Sequence, residues 1–396
     1  MKISEVLLHP VATRRHTGLL SYHVIVELRT AGGAVGWGEM SDLGHLPLYM
    51  PDLPDLQRTL NQLLAGEDAR RISLLNARML QAFPEQMYVY DMGAVIRCGV
   101  DMALHDVVAR SLEVPASTLL GGRCRDRFPV CYPIFRITTE AQIEQNLQTV
   151  RERIAEGYNA FRLYVGRRPD LDERFCDAFR KEHGDRVILK SLDFSNILPW
   201  KEALAVTRRL LPYGPLLVES PALRHDYEGF AEFRRACPLP VSEHAYSRVH
   251  VMEMIRHRSI DILNVALVFI GGFEAALGMM RVAQAAELPC LIGTTQELSL
   301  GTAGQAQLGA VAPNLEYISD CSGPRLYADD VCSDRVRYED SHVVVPEGPG
   351  LGLAPDPDLL ASLKSPLRAP SESAISANLD RTTVVDTSTP SSRYGG

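Results

Sequence analysis

Three acidic residues stand at the ends of three successive apolar runs: Asp193 in 187–195, Glu219 in 215–221 and Glu243 in 240–245. They are spaced 26 and 24 residues apart, each the length of one β/α unit. Each run is mostly apolar and breaks that pattern with a carboxylate near its end. In a β/α barrel the strand C-termini converge on one mouth, where active sites sit. Three carboxylates gathered there repel one another strongly unless a divalent cation neutralises them. All-oxygen ligation of that kind suits Mg²⁺ better than zinc. Taken singly, each acid could instead cap the helix that follows it. Three in register at unit spacing favour the metal.

The rest of the chain has the texture such a barrel requires. Residues 1–60 read as antiparallel β: 22–29 (YHVIVELR) is β-rich, 31–33 makes a turn, and 35–39 returns. The stretches 55–82 and 95–112 carry apolar residues at helical spacing. From about residue 126, short apolar strands alternate with amphipathic helices. Eight strands are predicted, at 129–134, 160–166, 187–195, 215–221, 240–245, 260–267, 289–295 and 316–320. Repeated βα units imply a parallel sheet, and eight of them permit closure. The expected fold is therefore α/β, a modified β/α barrel with an N-terminal α+β cap. The expected boundaries are 1–125 for the cap, 126–325 for the barrel and 326–365 for a segment returning to the cap. The Ser/Thr-rich stretch 366–396 is expected to be a disordered tail.

Composition bounds what the barrel can serve. A chain of 396 residues exceeds one compact core and calls for two domains. Charged residues make up 23% and hydrophobic ones 46%, as in ordinary globular proteins. A net charge of −8, with no basic run interleaved with aromatics, argues against a nucleic-acid partner. The eight cysteines are scattered singly and read as small buried hydrophobes. With no signal peptide, no apolar run of about 18 residues and no membrane span expected, a reducing cytoplasm is the default setting.

Four passages resemble the enolase superfamily, in its mandelate racemase and muconate lactonizing enzyme branch. Residues 99–122, GVDMALHDVVARSLEVPASTLLGG, are similar to the signature at the family's junction of cap and barrel. Asp193, Glu219 and Glu243 fall where its metal ligands fall. Residues 292–308, IGTTQELSLGTAGQAQL, resemble the seventh-strand region of muconate-type members, and 320–330, DCSGPRLYADD, their eighth-strand end. The resemblance implies Mg²⁺ on three carboxylates and a small-molecule carboxylate as substrate. It further implies an enolate formed when a side chain removes the α-proton. Such protons are too weakly acidic for a neutral-pH base unless the developing charge is met by a cation and donors. A homo-oligomer is also expected.

The departures narrow the reaction. Muconate-type members carry Lys-x-Lys on the second barrel strand, where this chain has Arg162-Leu163-Tyr164. Their lysine late on the sixth strand is Ala266 here, and the histidine that racemase types carry on the seventh gives way to Gly293-Thr294-Thr295. The family's Asp-x-Asn becomes Asp193-Phe194-Ser195, leaving an amide that supports the metal site unaccounted for. A two-base racemase of the lysine type lacks both bases. Lys190 lies three residues before Asp193 and is expected to face the opposite side.

What remains at the mouth points to one-base chemistry. Arg162 and Tyr164 are two apart and share a face; a neighbouring guanidinium and a nearby Mg²⁺ would favour the tyrosine's phenolate as base. His244 directly follows Glu243 and by alternation points away from it, although a turning strand end would bring it to the substrate as an acid. Asn264, Glu297 and Asp320 complete the ring as substrate contacts, Asp320 being placed to orient a cationic base or a hydroxyl. His45, in the cap loop 42–48, is expected to meet substrate, and His23 to be structural. The polar ring suits a hydroxylated acid, and β-elimination needs only one base and an acid. The leading expectation is thus a Mg²⁺-dependent dehydratase of a hydroxylated or sugar acid. The alternatives are a racemase, epimerase or cycloisomerase, or a non-catalytic relative that keeps the triad.

Overall fold

The computed structural model describes residues 1–41, 43, 51–88 and 90–367. Its first sheet is antiparallel, in the order β1 (Ile3–Arg14), β2 (Leu20–Thr30) and β3 (Val35–Met40). The predicted turn at 31–33 closes the β2–β3 hairpin, with Thr30 N–H donating to Ala34 O at 2.9 Å. The predicted helical stretch 55–82 is two helices, α1 (Leu53–Leu64) and α2 (Ile72–Ala82), parted where Gly66 takes φ +84°. The next helix, α3 (Met92–Ser111), starts where the Asp91 side chain accepts from Gly93 N and Ala94 N.

Helix α3 is buried along most of its length and lies directly on β3. Contact is backbone to backbone because glycines stand on both sides. A Cβ on Gly38 would fall 1.9 Å from Gly99 O, and one on Gly36 would fall 2.3 Å from Ala103 O.

After a short α4 (Ala116–Leu119) and β4 (Arg127–Pro129) the barrel begins. Its strands are β5 (Tyr132–Ile134), β6 (Ala160–Tyr164), β7 (Ile188–Asp193), β8 (Leu217–Glu219), β9 (Val241–Ala245), β10 (Ile262–Val265) and β11 (Cys290–Ile292). All are parallel and neighbours in sequence order. Between them run α5 (Ala141–Ala155), α6 (Pro169–His183), α7 (Trp200–Leu210), α8 (Tyr227–Ala236), α9 (Arg248–His257), α10 (Leu267–Ile270) and α11 (Phe273–Ala285). Helix α12 (Ser299–Val311) follows the last strand. On α7 the buried residues Ala203, Leu204, Val206, Thr207 and Leu210 form the single apolar stripe a barrel-facing helix needs.

The predicted eighth strand, 316–320, is irregular yet still closes the ring. Leu315 bridges Cys290 on one edge of the sheet and Ser319 bridges Val130 beside the other. Asp320 N–H then donates to Ile292 O at 2.7 Å and Cys131 N–H to Ser319 O at 2.9 Å. Beyond it, β12 (Tyr338–Glu339) and β13 (His342–Val344) add to β4, and α13 (Pro357–Ser362) follows. Hydrogen bonds from Ala12 N to Leu363 O and from Ser365 N to Pro10 O tie this segment to β1. Most of the predicted tail 366–396 lies outside the described residues. All eight cysteines are unpaired and seven are buried, Cys124 being exposed. Among the described residues no helix is long and apolar enough to cross a membrane.

One irregularity inside the barrel matters for the site. Phe161 pairs with Leu189 but Arg162 pairs with Ser191, so Lys190 is an extra residue in β7. Such a bulge re-aims a side chain. Just past β6, Gly166 N–H donates to Asp172 Oδ2 at 2.8 Å, which pins the turn that follows Tyr164.

Two substitutions probe this framework. Gly38→Ala should destabilise the protein by more than about 3 kcal/mol in urea unfolding, because no side-chain rotation relieves a clash between backbones. Burial pushes the Asp172 carboxyl up to about 7, with the Gly166 bond opposing. An acid whose folded pKa exceeds its unfolded one stabilises fully below its unfolded pKa and loses that contribution as pH rises through about 7. Asp172→Asn should therefore flatten the fall in stability between about pH 4 and 7. At pH 8 it should be more stable than wild type by about 1–2 kcal/mol.

Candidate active site

The barrel interior holds a packed set of charges. Arg162, on the second barrel strand, projects inward with only 2% exposure. Its Nη1 lies 3.3 Å from Asp320 Oδ2 and 3.5 Å from Glu219 Oε1, and its Nε lies 3.9 Å from Asp193 Oδ2. Its Nη2 donates to the Tyr164 hydroxyl at 2.6 Å. The two side chains thus share a face, as their spacing predicts. The Tyr164 ring stacks on Phe135 at 5.8 Å and has the Arg136 guanidinium 5.7 Å from its centre.

Lys190 corrects the expectation drawn from strand alternation. The β7 bulge turns it inward, fully buried, with Nζ 2.8 Å from Asp320 Oδ1 and 3.8 Å from Glu219 Oε2. Cys131 Sγ donates to the same Asp320 oxygen at 3.0 Å.

The three acids of the triad lie on the successive strands β7, β8 and β9. Asp193 and Glu219 are paired in register on β7 and β8. Asp193 Oδ1 accepts from Ser195 N at 2.7 Å and from Ser195 Oγ at 3.0 Å. Glu243 accepts from Asn196 Nδ2 at 2.8 Å, Ser220 Oγ at 3.1 Å and its neighbour's backbone N–H at 2.7 Å. His244 does point away from Glu243, and thereby into the interior, where Nε2 meets Glu219 Oε1 at 3.1 Å. Asn264, level with His244 on the next strand, donates to that same oxygen at 3.4 Å.

Asn196 supplies the amide that Asp193-Phe194-Ser195 left unaccounted for. Ser195 and Asn196 both adopt left-handed φ, 51° and 58°, so the turn carries its amide one residue later than the family pattern. Arg136 and Ser220 were also missed. A guanidinium just after the first predicted strand was the available sign for Arg136.

Glu297, expected to contact substrate, is instead engaged outside this cluster. Its carboxylate is taken up by Thr294, Thr295 and Gln305 around its own turn. His45 lies outside the described residues. His23 is fully buried against Glu39 at 3.0 Å, in the structural role expected of it.

Electrostatics follow from this packing. Burial pushes the Glu219 carboxyl up, but the His244 bond and the charges of Lys190 and Arg162 pull it well below its ordinary value. Asp193 rises to about 6 through burial and the charge of Glu219, with Arg162 opposing. Burial works against the His244 imidazolium, yet its bond to Glu219 wins and its pKa is raised. Tyr164 departs from expectation. Burial, with the charges of Asp193 and Glu219, outweighs Arg162 and drives the phenol far above its ordinary value. Tyr164 is thus held as the neutral phenol, not a ready phenolate.

The donors present are compatible with a divalent cation. Glu219 Oε2 is buried without a hydrogen-bond partner, and Asp193 Oδ2 has only the distant Arg162 Nε. The carboxylates of Asp193, Glu219 and Asp320 are met by the buried cations Arg162 and Lys190, with the Arg136 guanidinium adding positive charge near Asp193. Among the described residues no three such groups stand ready-gathered about one point, since Glu243 is turned toward Asn196 and Ser220.

Comparison with known proteins agrees with this architecture. Residues 2–121 match the family model of the mandelate racemase / muconate lactonizing enzyme N-terminal domain. Residues 145–359 match the enolase C-terminal domain-like model. A chloromuconate cycloisomerase of Pseudomonas putida is 28% identical over 346 residues, spanning 85% of this chain and 90% of that protein. An N-succinyl-L-Arg/Lys racemase of Bacillus cereus is 23% identical over 378 residues, 92% of this chain and 98% of that one. Among solved structures, a muconate cycloisomerase from Azorhizobium caulinodans superposes with TM-score 0.77 at 27% identity, covering 91% of this chain and 98% of that one. The fold is shared too with a muconate cycloisomerase from Pseudomonas fluorescens, at TM-score 0.83 and 24% identity over 92% and 99%. With both domain models matched across most of its length, the chain belongs to the mandelate racemase / muconate lactonizing enzyme branch of the enolase superfamily.

Proposed function

We propose that this enzyme is an isomerase of the cycloisomerase type, acting on a small unsaturated dicarboxylic acid with Tyr164 delivering a proton to one face. The observation that carries this reading is the pairing of a neutral Tyr164 phenol with Arg162 at 2.6 Å, beside Asp193 and Glu219. The lysine position on the sixth barrel strand is the buried methyl of Ala266. Cycloisomerisation needs proton transfer on a single face, whereas racemisation needs a group on each. The names of the relatives, cycloisomerases and a racemase, favour isomerisation over the dehydration expected from the polar ring.

A carboxylate oxygen of the substrate adds to its own carbon–carbon double bond. The C–O bond forms while the π pair moves to the α-carbon and into the second carboxylate as an enolate. The Tyr164 O–H then protonates that carbon, and the phenolate left behind is stabilised by Arg162 until solvent restores its proton. Mg²⁺ held by Asp193, Glu219 and Glu243 would supply positive charge against the carboxylate oxygens on which the negative charge grows. Asn196 and Ser220 hold Glu243, and His244 with Asn264 holds Glu219.

The test is turnover of a panel of unsaturated mono- and dicarboxylic acids in D₂O. Product should carry one deuterium on one face, with no exchange of the substrate's own α-protons. Exchange without ring closure, or release of water, would point to the other reactions of the superfamily. Tyr164→Phe should lower kcat by about 10²–10⁴-fold, the usual contribution of a general acid, while leaving KM similar. A Tyr164→Phe enzyme with near-normal kcat would refute the assignment.

Metal binding is checked separately. Mg²⁺ should raise the Tm and EDTA reverse the gain, since a ligand bound only to the folded state stabilises it. Glu219→Gln should abolish that shift and the activity together while the fold is kept. A Glu219→Gln protein that retains its Mg²⁺-dependent shift would return the three acids to a structural role.

A further inference from the structure

We propose that Lys190 and Asp320 are positioning residues, a buried brace on the barrel floor that fixes where Arg162 presents the Tyr164 phenol. This rests on the reading of Tyr164 as proton donor. The brace is a continuous chain of polar contacts across four strand positions. Lys190 Nζ meets Asp320 Oδ1 at 2.8 Å, Asp320 Oδ2 faces Arg162 Nη1 at 3.3 Å, and Arg162 Nη2 donates to Tyr164 at 2.6 Å.

The β7 bulge exists where it is needed for this brace. In an unbroken ladder Lys190 would face the opposite side from Asp193; as the extra residue it faces inward with no exposure. A charged group so placed is costly unless paired, and Asp320 pairs it. The ammonium is thereby committed to Asp320 and is not a free base.

The competition for Asp320 explains what the lysine does. Asp320 is shared by Lys190 and Cys131 on one oxygen, which leaves only the other for Arg162. Without the lysine, only the weak thiol donor of Cys131 would hold the shared oxygen against Arg162, whose planar fork favours two parallel bonds to one carboxylate. Bidentate pairing would draw the guanidinium toward the floor and away from Tyr164. Without Asp320, Arg162 would shift instead toward Glu219 and Asp193, 3.5 and 3.9 Å away.

The experiment combines arginine side-chain NMR with steady-state kinetics. Lys190→Met should shift and broaden the guanidinium signals of Arg162, assigned by their loss in Arg162→Lys. It should lower kcat by about 10- to 100-fold, the cost of misplacing a reacting group, with KM little changed. Lys190→Arg should restore both readouts in part. The double variant Lys190→Met/Asp320→Asn removes both buried charges together, so it should fold even where the single variant does not, and it should show the same loss of kcat. Unchanged Arg162 signals in the variants would overturn the brace, as would a kcat loss not relieved by Lys190→Arg. If no acid is turned over by the wild type, the NMR comparison still decides the brace, and only the role of Tyr164 falls.

Discussion

Everything at the mouth of this barrel depends on one buried arrangement, the two cations Arg162 and Lys190 set among Asp193, Glu219 and Asp320. Charges taken out of water repay their desolvation only when each is paired and hydrogen-bonded in good geometry. Removing one partner of such a set typically costs about 3–5 kcal/mol. The network is therefore close to all-or-none, and it fixes the inward face of four barrel strands at once. His244, with Lys190 and Arg162, holds Glu219 ionised, while burial and the charges of Asp193 and Glu219 keep Tyr164 protonated against Arg162.

A second buried carboxylate joins the cap to this barrel. Glu39, at the end of the cap strand β3, accepts from Leu298 N at 3.0 Å and Gly301 N at 2.7 Å, at the start of α12. A helix N-terminus offers unsatisfied N–H groups and a partial positive charge, so a carboxylate from another domain is a strong latch there. Asp330 meets the same turn through Ser299 N and Oγ. Glu297 lies one residue before this latch, which accounts for its carboxylate being spent on Thr294, Thr295 and Gln305. The seventh-strand loop is built as a joint between domains, and its acid is part of the joint.

The sequence made the frame legible because its signals are periodic. Apolar runs at unit spacing named the barrel strands, and acids at 193, 219 and 243 marked their C-terminal ends. It was less legible where the ladder departs from strict alternation. A bulge adds one residue without altering the hydrophobic pattern, so nothing in ILKSLD announces that Lys190 turns inward. Asn196 was obscured for a related reason, since two left-handed residues let the turn carry its amide one place later. His244 obeyed alternation, yet the consequence was inverted. Facing away from Glu243 meant facing Glu219 across the strand, a relation that only the register reveals. Tyr164 could be placed from sequence but its proton could not, because burial, which no spacing reveals, joins the charges of Asp193 and Glu219 to outweigh the guanidinium.

The same residues explain how this member differs from its relatives in charge as well as identity. A phenol at 164 and a methyl at 266 stand where the family resemblance expects lysines. Arg162 and Lys190 keep positive charge one layer below, tied to Asp320. The acids Asp193, Glu219 and Glu243 are met by His244 and, near Asp193, by Arg136. A divalent cation held there would add positive charge to draw a substrate's carboxylate in. The floor cations cannot serve that purpose, because Arg162 is engaged by Tyr164 and Asp320, and Lys190 by Asp320. On the proposed reading, substrate affinity would depend on the metal, and the position of the Tyr164 proton on Arg162, Asp320 and Lys190.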